Sequence, residues 1–164
     1  MFAVQTPPAG TKTELYSELA SQARALLQGE RDATANSANI GALVFHTLPA
    51  LNWVGFYWMK AGGLVLGAFQ GKPACVRIAL GEGVCGTAAR DRKTIVVADV
   101  NQFPGHIACD SASNSEVVVP LIVRGNVVGV LDLDSPKAGR FDGEDARGLE
   151  ALAEIVLAAT DLGS

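Results

Sequence analysis

The stretch EVVVPLIVRGNVVGVLDLDS, Glu116 to Ser135, reads as two β-strands folded back on each other. Glu116 to Val123 and Asn126 to Asp132 are rich in β-branched residues, which suit a pleated surface. Arg124-Gly125 between them is a hairpin signal. Upstream, Asn52 to Lys60 (NWVGFYWMK) and Leu64 to Gln70 flank Gly62-Gly63 as a second hairpin. Val76 to Leu80 and Thr94 to Val97 read as shorter strands. Gly81-Glu82-Gly83 is a loop, Val84 to Arg90 a short helix with Cys85 near its start, and residues 99–115 a long polar loop. Loops of that length in a compact domain are commonly functional or disordered.

Helices bracket the strands. Thr11 and Glu14 have capping-box spacing, and Leu15, Leu19, Ala23, Leu26 and Leu27 follow with helical periodicity. A second helix is expected from Asp32 to Leu48, with Ile40, Leu43 and Val44 on its apolar face and Pro49 ending it. A last helix starts near Asp142 and turns Ala146, Leu149, Leu152, Val156 and Ala159 inward. The order is that of an α+β domain with a mainly antiparallel sheet and helices packed on one side. Residues 1–10 are Pro- and Gly-rich and read as a flexible tail, with a single domain over 11–164.

Composition narrows the function. The chain has 164 residues, 49% hydrophobic and 18% charged, with a net charge of −4. This is globular composition, and the acidic balance without a basic run argues against nucleic acid as a partner. No segment approaches the about 20 apolar residues that span a bilayer. The N-terminus lacks a basic start followed by an apolar run, so the chain is read as cytoplasmic. Thiols stay reduced in that compartment, and a disulfide there is more often transient and catalytic than structural.

Three groups of residues can carry chemistry. Cys75, Cys85 and Cys109 are spaced Cys-x9-Cys-x23-Cys, with no Cys-x-x-Cys pair, so no metal site is expected from them. Any one of them can be a small buried hydrophobe, and Cys85 between Val84 and Gly86 suits that role well. Cys75 and Cys109 lie in loops, where two thiols can meet without disturbing a core. His106, three residues before Cys109, is either its polarising partner or a surface residue; His46 reads as structural or exposed. Asp110 beside Cys109 disfavours a thiolate and needs an offset, from a helix N-terminus or from His106.

Asp132 and Asp134 share a strand face by the period of two, and Glu116 faces them across the hairpin. Crowded carboxyls raise one another's pKa, which makes a proton donor near neutral pH. Asp134-Ser135-Pro136 is also an ordinary turn signal, and the acids alternatively suit a hard cation. Trp53, Gly55 and Tyr57 share one strand face, and Phe56 and Trp58 the other. One set belongs to the core, while the Trp53–Tyr57 face leaves room over Gly55 for a small apolar ligand group.

The cysteine spacing, together with Gly83-Val84-Cys85-Gly86-Thr87-Ala88-Ala89, His106-Ile107-Ala108-Cys109-Asp110, Ser115-Glu116-Val117-Val118-Val119-Pro120 and Gly129-Val130-Leu131-Asp132-Leu133-Asp134-Ser135, resembles the GAF-domain free methionine-(R)-sulfoxide reductases. The likeness spans residues 12–160. It implies a six-stranded antiparallel GAF sheet flanked by helices and reduction of free methionine (R)-sulfoxide. By the same resemblance Cys109 attacks the sulfoxide sulfur, Cys75 resolves the intermediate as a disulfide, and Cys85 plays a lesser or variable part. Thioredoxin, recharged by NADPH through thioredoxin reductase, restores the thiols, and no bound cofactor is needed. Glu116, Asp132 and Asp134 match the substrate-binding acids, and Trp53 and Tyr57 the pocket aromatics. The chemistry is coherent, because oxygen leaves sulfur only once protonated, and the attacking thiol becomes a sulfenic acid that a second thiol can condense with. Two other classes compete: a sensory GAF module that binds a small ligand, and a peroxide-responsive thiol protein. A homodimer paired through helices is a further expectation for GAF domains.

Overall fold

The computed structural model describes residues 2–4, 10–106 and 110–162. The expected tail over residues 1–10 lies largely outside them, as does Cys109. The helices are α1 (Lys12–Leu26), α2 (Ala33–Thr47), α3 (Gly83–Asp91) and α4 (Gly143–Ala159). The strands are β1 (Trp53–Lys60), β2 (Gly63–Gly71), β3 (Arg77–Ala79), β4 (Ile95–Val97), β5 (Ser115–Val123) and β6 (Asn126–Ser135). They form one antiparallel sheet in the order β3-β2-β1-β6-β5-β4, so the two hairpins are joined through β1 and β6 at its centre.

Local chemistry accounts for the element ends. Thr11 and Glu14 form the expected capping box at α1, and Asp32 caps α2 by accepting from the Ala35 N–H. Asp142 caps α4 and forms a second capping box with Asp145. These side chains satisfy N–H groups that a helix start leaves without partners. Strand β6 runs further than its sequence reading, through Asp134 to Ser135. The turn signal at Asp134-Ser135-Pro136 acts one residue later, since Asp134 is still paired with Glu116 across the hairpin. Among its described residues the long loop contains a 3₁₀ turn, Val100–Gln102, capped by Asp99.

The two faces of the sheet bury different clusters. One presents Val54, Phe56, Val117, Val119, Leu121, Leu131 and Leu133 to Leu19, Ile40, Leu43, Leu149 and Val156 of α1, α2 and α4. The other presents Trp53, Tyr57, Val118 and Val130 to Val84, Cys85, Ala88 and Ala89 of α3. Helices therefore cover both faces, not one side as the element order suggested. The reason is that α3 is short and carries small residues, so it is a cap on the second face rather than a layer. It seats closely: a Cβ on Gly86 would overlap the carbonyl oxygen of Ala79, and the Gly81 N–H donates to the Gly86 carbonyl at 2.8 Å.

Two glycine substitutions separate close approach from simple chain freedom. Gly86→Ala should destabilise by about 1–3 kcal/mol, because backbone rather than a flexible side chain must move. Gly41→Ala in the interior of α2 meets nothing within 4 Å and should stabilise by about 0.5–1 kcal/mol. Thermal or urea unfolding of the two variants checks both signs.

Candidate functional site

The second face opens beside α3 into a pocket lined by residues from six segments, Ile78 of β3 among them. Trp53 and Tyr57 come from β1, Pro73 and Ala74 from the β2–β3 loop, and Glu82 to Cys85 from the start of α3. His106, Asp110 and Ser113 come from the long loop, and Glu116, Asp132 and Asp134 from the central hairpin. The register of β5 and β6 sets Glu116 opposite Asp134 and Val118 opposite Asp132. That pairing brings the three predicted acids to one end of the sheet. Glu116 and Asp132 are each 6% exposed, and Asp134 is partly buried.

All three carboxyls are pushed well above the usual carboxylate range, first by burial and then by one another's charge: Asp134 acts on Glu116, Glu116 on Asp132, and Asp132 on Asp134. Burial removes water that would solvate the anion, and a neighbouring negative charge adds to that penalty. Oδ1 of Asp132 is buried with no hydrogen-bond partner among the described residues. The pocket therefore holds an acceptor available to a ligand's donor.

His106 Nε2 lies 3.3 Å from Glu116 Oε2. Burial lowers the His106 pKa and raises that of Glu116, and both shifts disfavour an ion pair at this contact. Asp110 carries a different set of partners. It accepts from Asn52 Nδ2 at 3.2 Å and the Ala112 N–H at 2.9 Å, and Lys72 Nζ is 3.4 Å away. These hold its carboxyl below its ordinary pKa, the Ala112 N–H contributing most. These three donors balance the Asp110 charge, while the Cys109 thiol on which that charge is expected to act lies outside the described residues. Lys72 also ties the β2–β3 loop to the pocket, because its carbonyl accepts from the Trp53 indole N–H at 3.0 Å.

The aromatic wall differs from its sequence reading in one respect. Trp53 stacks on Phe69 and Tyr57, with centroids 5.5 Å and 6.0 Å apart. A Cβ on Gly55 would overlap the Trp53 ring, so the space over Gly55 is taken by the indole itself. An apolar ligand group would rest against that indole, not in a gap beside it. Phe56 and Trp58 face the opposite cluster, as the alternation requires.

The cysteines separate cleanly. Cys75 is partly buried and disulfide-bonded. Cys85 is a free thiol, 3% exposed, in the first turn of α3. A helix N-terminus ordinarily favours a thiolate. Here burial, then the charges of Asp132 and Glu116, push the thiol pKa well above its usual value. Donor atoms of Cys85, Glu116 and Asp132 all lie within 4.8 Å of one another. The expectation for Cys109 falls outside the described residues. Sequence reasoning missed Asn52 and Ser113: Asn52 Nδ2 also donates to Ser113 Oγ at 3.0 Å, a link across 61 positions that no local pattern announces.

The protonated acids have a stability consequence. A carboxyl whose folded pKa exceeds its unfolded value binds more protons when folded, so stability falls as pH rises above the unfolded value near about 4. Asp132→Asn should remove part of that fall. Urea unfolding at acidic and mildly alkaline pH should show the variant gaining on the parent as pH rises. Equal pH slopes would contradict the assignment.

A GAF domain model matches residues 37–161. A free methionine-R-sulfoxide reductase of Escherichia coli is 51% identical over 153 residues, covering 92% of this chain and 93% of the relative. One of Saccharomyces cerevisiae is 42% identical, covering 88% and 85%. The X-ray structure of free methionine-R-sulfoxide reductase from Neisseria meningitidis with its substrate superimposes with a TM-score of 0.92 at 43% identity, covering 97% of this chain and 95% of that one. Among the described residues, no helix is long and apolar enough to cross a membrane.

Proposed function

The chain belongs to the GAF-domain family of free methionine-(R)-sulfoxide reductases, and from that premise we propose that it reduces free methionine (R)-sulfoxide to methionine with thiols of its own. The single observation that carries the reading is the convergence of three buried carboxyls, their pKa values raised by burial and by one another's charge, on a pocket walled by Trp53 and Tyr57. A sulfoxide oxygen is a poor leaving group until it is protonated, and such an acid supplies the proton.

In this reading Cys109 is the nucleophile. Its thiolate bonds to the sulfoxide sulfur and the oxygen takes up one proton; the hydroxyl then passes to the Cys109 sulfur as the methionine S–O bond and the new S–S bond break, releasing methionine reduced by two electrons. The oxygen remains on Cys109 as a sulfenic acid. The thiol of Cys75 then displaces that oxygen as water and closes a Cys75–Cys109 disulfide. The occurrence of Cys75 in a disulfide supports its assignment to this step. The dithiol of thioredoxin reduces the bond by exchange, and NADPH restores thioredoxin through its reductase. Cys85 is held protonated and suits neither attack nor exchange, so it is left outside the redox steps.

The remaining side chains bind substrate. Asp132, with its free Oδ1, and Asp134 suit the ammonium of a free amino acid, and Glu116 suits the proton transfer. The methyl group packs on the Trp53 indole beside Tyr57. The Lys72–Asp110 contact and the indole hydrogen bond to Lys72 draw the β2–β3 loop over the pocket, which favours a free amino acid over a peptide. A sensory GAF module is the alternative, but it has no use for three buried acids of raised pKa in a chain with a disulfide-bonded cysteine.

Coupled NADPH oxidation with thioredoxin and its reductase decides between them. Turnover should appear with the free R isomer, fail with the S isomer and with sulfoxide-containing peptides, and vanish in Cys109→Ser. No turnover with either isomer, in folded and reduced protein, would overturn the reading. Glu116→Gln should lower kcat by about 100-fold or more, as expected for loss of a general acid, and leave KM within a few fold. A rise in KM at constant kcat would instead assign Glu116 to binding.

A further inference from the structure

Cys85 is the buried reactive group that the proposed reaction leaves without a task. It is a thiol set between two carboxyls, a poor environment for a nucleophile. The same environment suits another chemistry. Cys85 Sγ, a Glu116 oxygen and an Asp132 oxygen lie within 4.8 Å of one another, and all three residues are buried. A sulfur with two carboxylate oxygens is a donor set that zinc-class ions accept at tetrahedral sites, and mixed softness selects such ions over calcium or magnesium.

Two further observations point to a cationic occupant. Asp132 Oδ1 is buried against the pocket with no partner among the described residues, so one donor is ready to bind. His106 Nε2 stands 3.3 Å from Glu116 Oε2, where an imidazole N–H orients a ligating carboxylate. The lining is also rich in oxygen donors: Glu82, Asp110, Glu116, Asp132 and Asp134 all line the pocket.

We propose that Cys85, Glu116 and Asp132 form a binding site for a divalent ion of the zinc class, with His106 positioning Glu116 and a fourth coordination position open to the pocket. Binding makes three metal–ligand bonds and sends to solvent the protons carried by the thiol and the two carboxyls. The affinity therefore rises with pH. The ion occupies the acids that the proposed reaction assigns to substrate, so metal and sulfoxide exclude each other. Zinc is then a competitive inhibitor of turnover, a consequence that rests on the proposed reductase activity; the site itself does not.

The test titrates zinc ion by calorimetry, and cobalt(II) by visible absorption, into the full chain with the Cys75 disulfide formed. The disulfide keeps Cys75 from offering a competing thiol. One ion should bind per chain, with a thiolate-to-cobalt charge-transfer band. Cys85→Ser should abolish the band and weaken zinc by about 100-fold or more, and Asp132→Asn should weaken it comparably while keeping the band. His106→Asn should cost about tenfold with the band retained, as loss of a positioning partner does. No binding, or equal affinity in folded Cys85→Ser and Asp132→Asn, overturns the site. Because binding is read without turnover, absence of sulfoxide reduction would leave this result standing, and absence of metal would leave the reductase reading untouched.

Discussion

The antiparallel register of β5 and β6 places Glu116 against Asp134 and, two residues along β6, puts Asp132 on the same face beside them. Three carboxyls on one buried face are a cost to the fold. Ionised together they would repel in a medium that screens poorly, and that repulsion with burial raises their pKa values. The sheet is otherwise built as any stable sheet is, with β1 and β6 central and an aliphatic cluster on the opposite face. That second face tolerates the acids because the first supplies the packing. Stability and chemistry are thus divided between the two sides of one sheet.

Around the acids the chain places elements whose sizes are set by close approach. Gly86 lets α3 seat against the Ala79 carbonyl, which brings Cys85 beneath Glu116 and Asp132. Gly55 lets the Trp53 indole lie flat along β1. The Lys72 carbonyl then fixes the indole N–H, and Asp110 draws in the Lys72 ammonium. Each contact spans loops distant in sequence, and together they enclose a small pocket whose floor is acidic and whose wall is aromatic. A cationic ligand with an apolar end fits that polarity, whether an amino acid or, at the acids alone, a metal ion.

Much of this was legible in the residues. The Arg124-Gly125 turn fixes the hairpin count, and that count alone brings Glu116 toward Asp132 and Asp134. Capping residues Thr11, Asp32 and Asp142 mark helix starts because their side-chain chemistry is local. What was not legible is long-range. Whether α3 lies over the same face as α2 depends on packing, which small residues such as Ala88 and Ala89 do not announce. The contacts of His106 with Glu116 and of Asp110 with Lys72 are long-range too, and nearness in sequence to Cys109, which lies outside the described residues, could not announce them. The gap over Gly55 was read correctly as space but not as space for Trp53 itself.

The acid chemistry of this pocket requires a carboxylic proton at neutral pH. Infrared difference spectroscopy of the reduced full chain in light and heavy water tests it directly, through the carbonyl stretch of a protonated carboxyl near pH 7. A protonated-carboxyl band should persist at neutral pH, diminish in Asp132→Asn and Glu116→Gln, and fade only under alkaline conditions. A band that disappears below about pH 5, as ordinary carboxyls do, would contradict it and with it the acid chemistry assigned to the site.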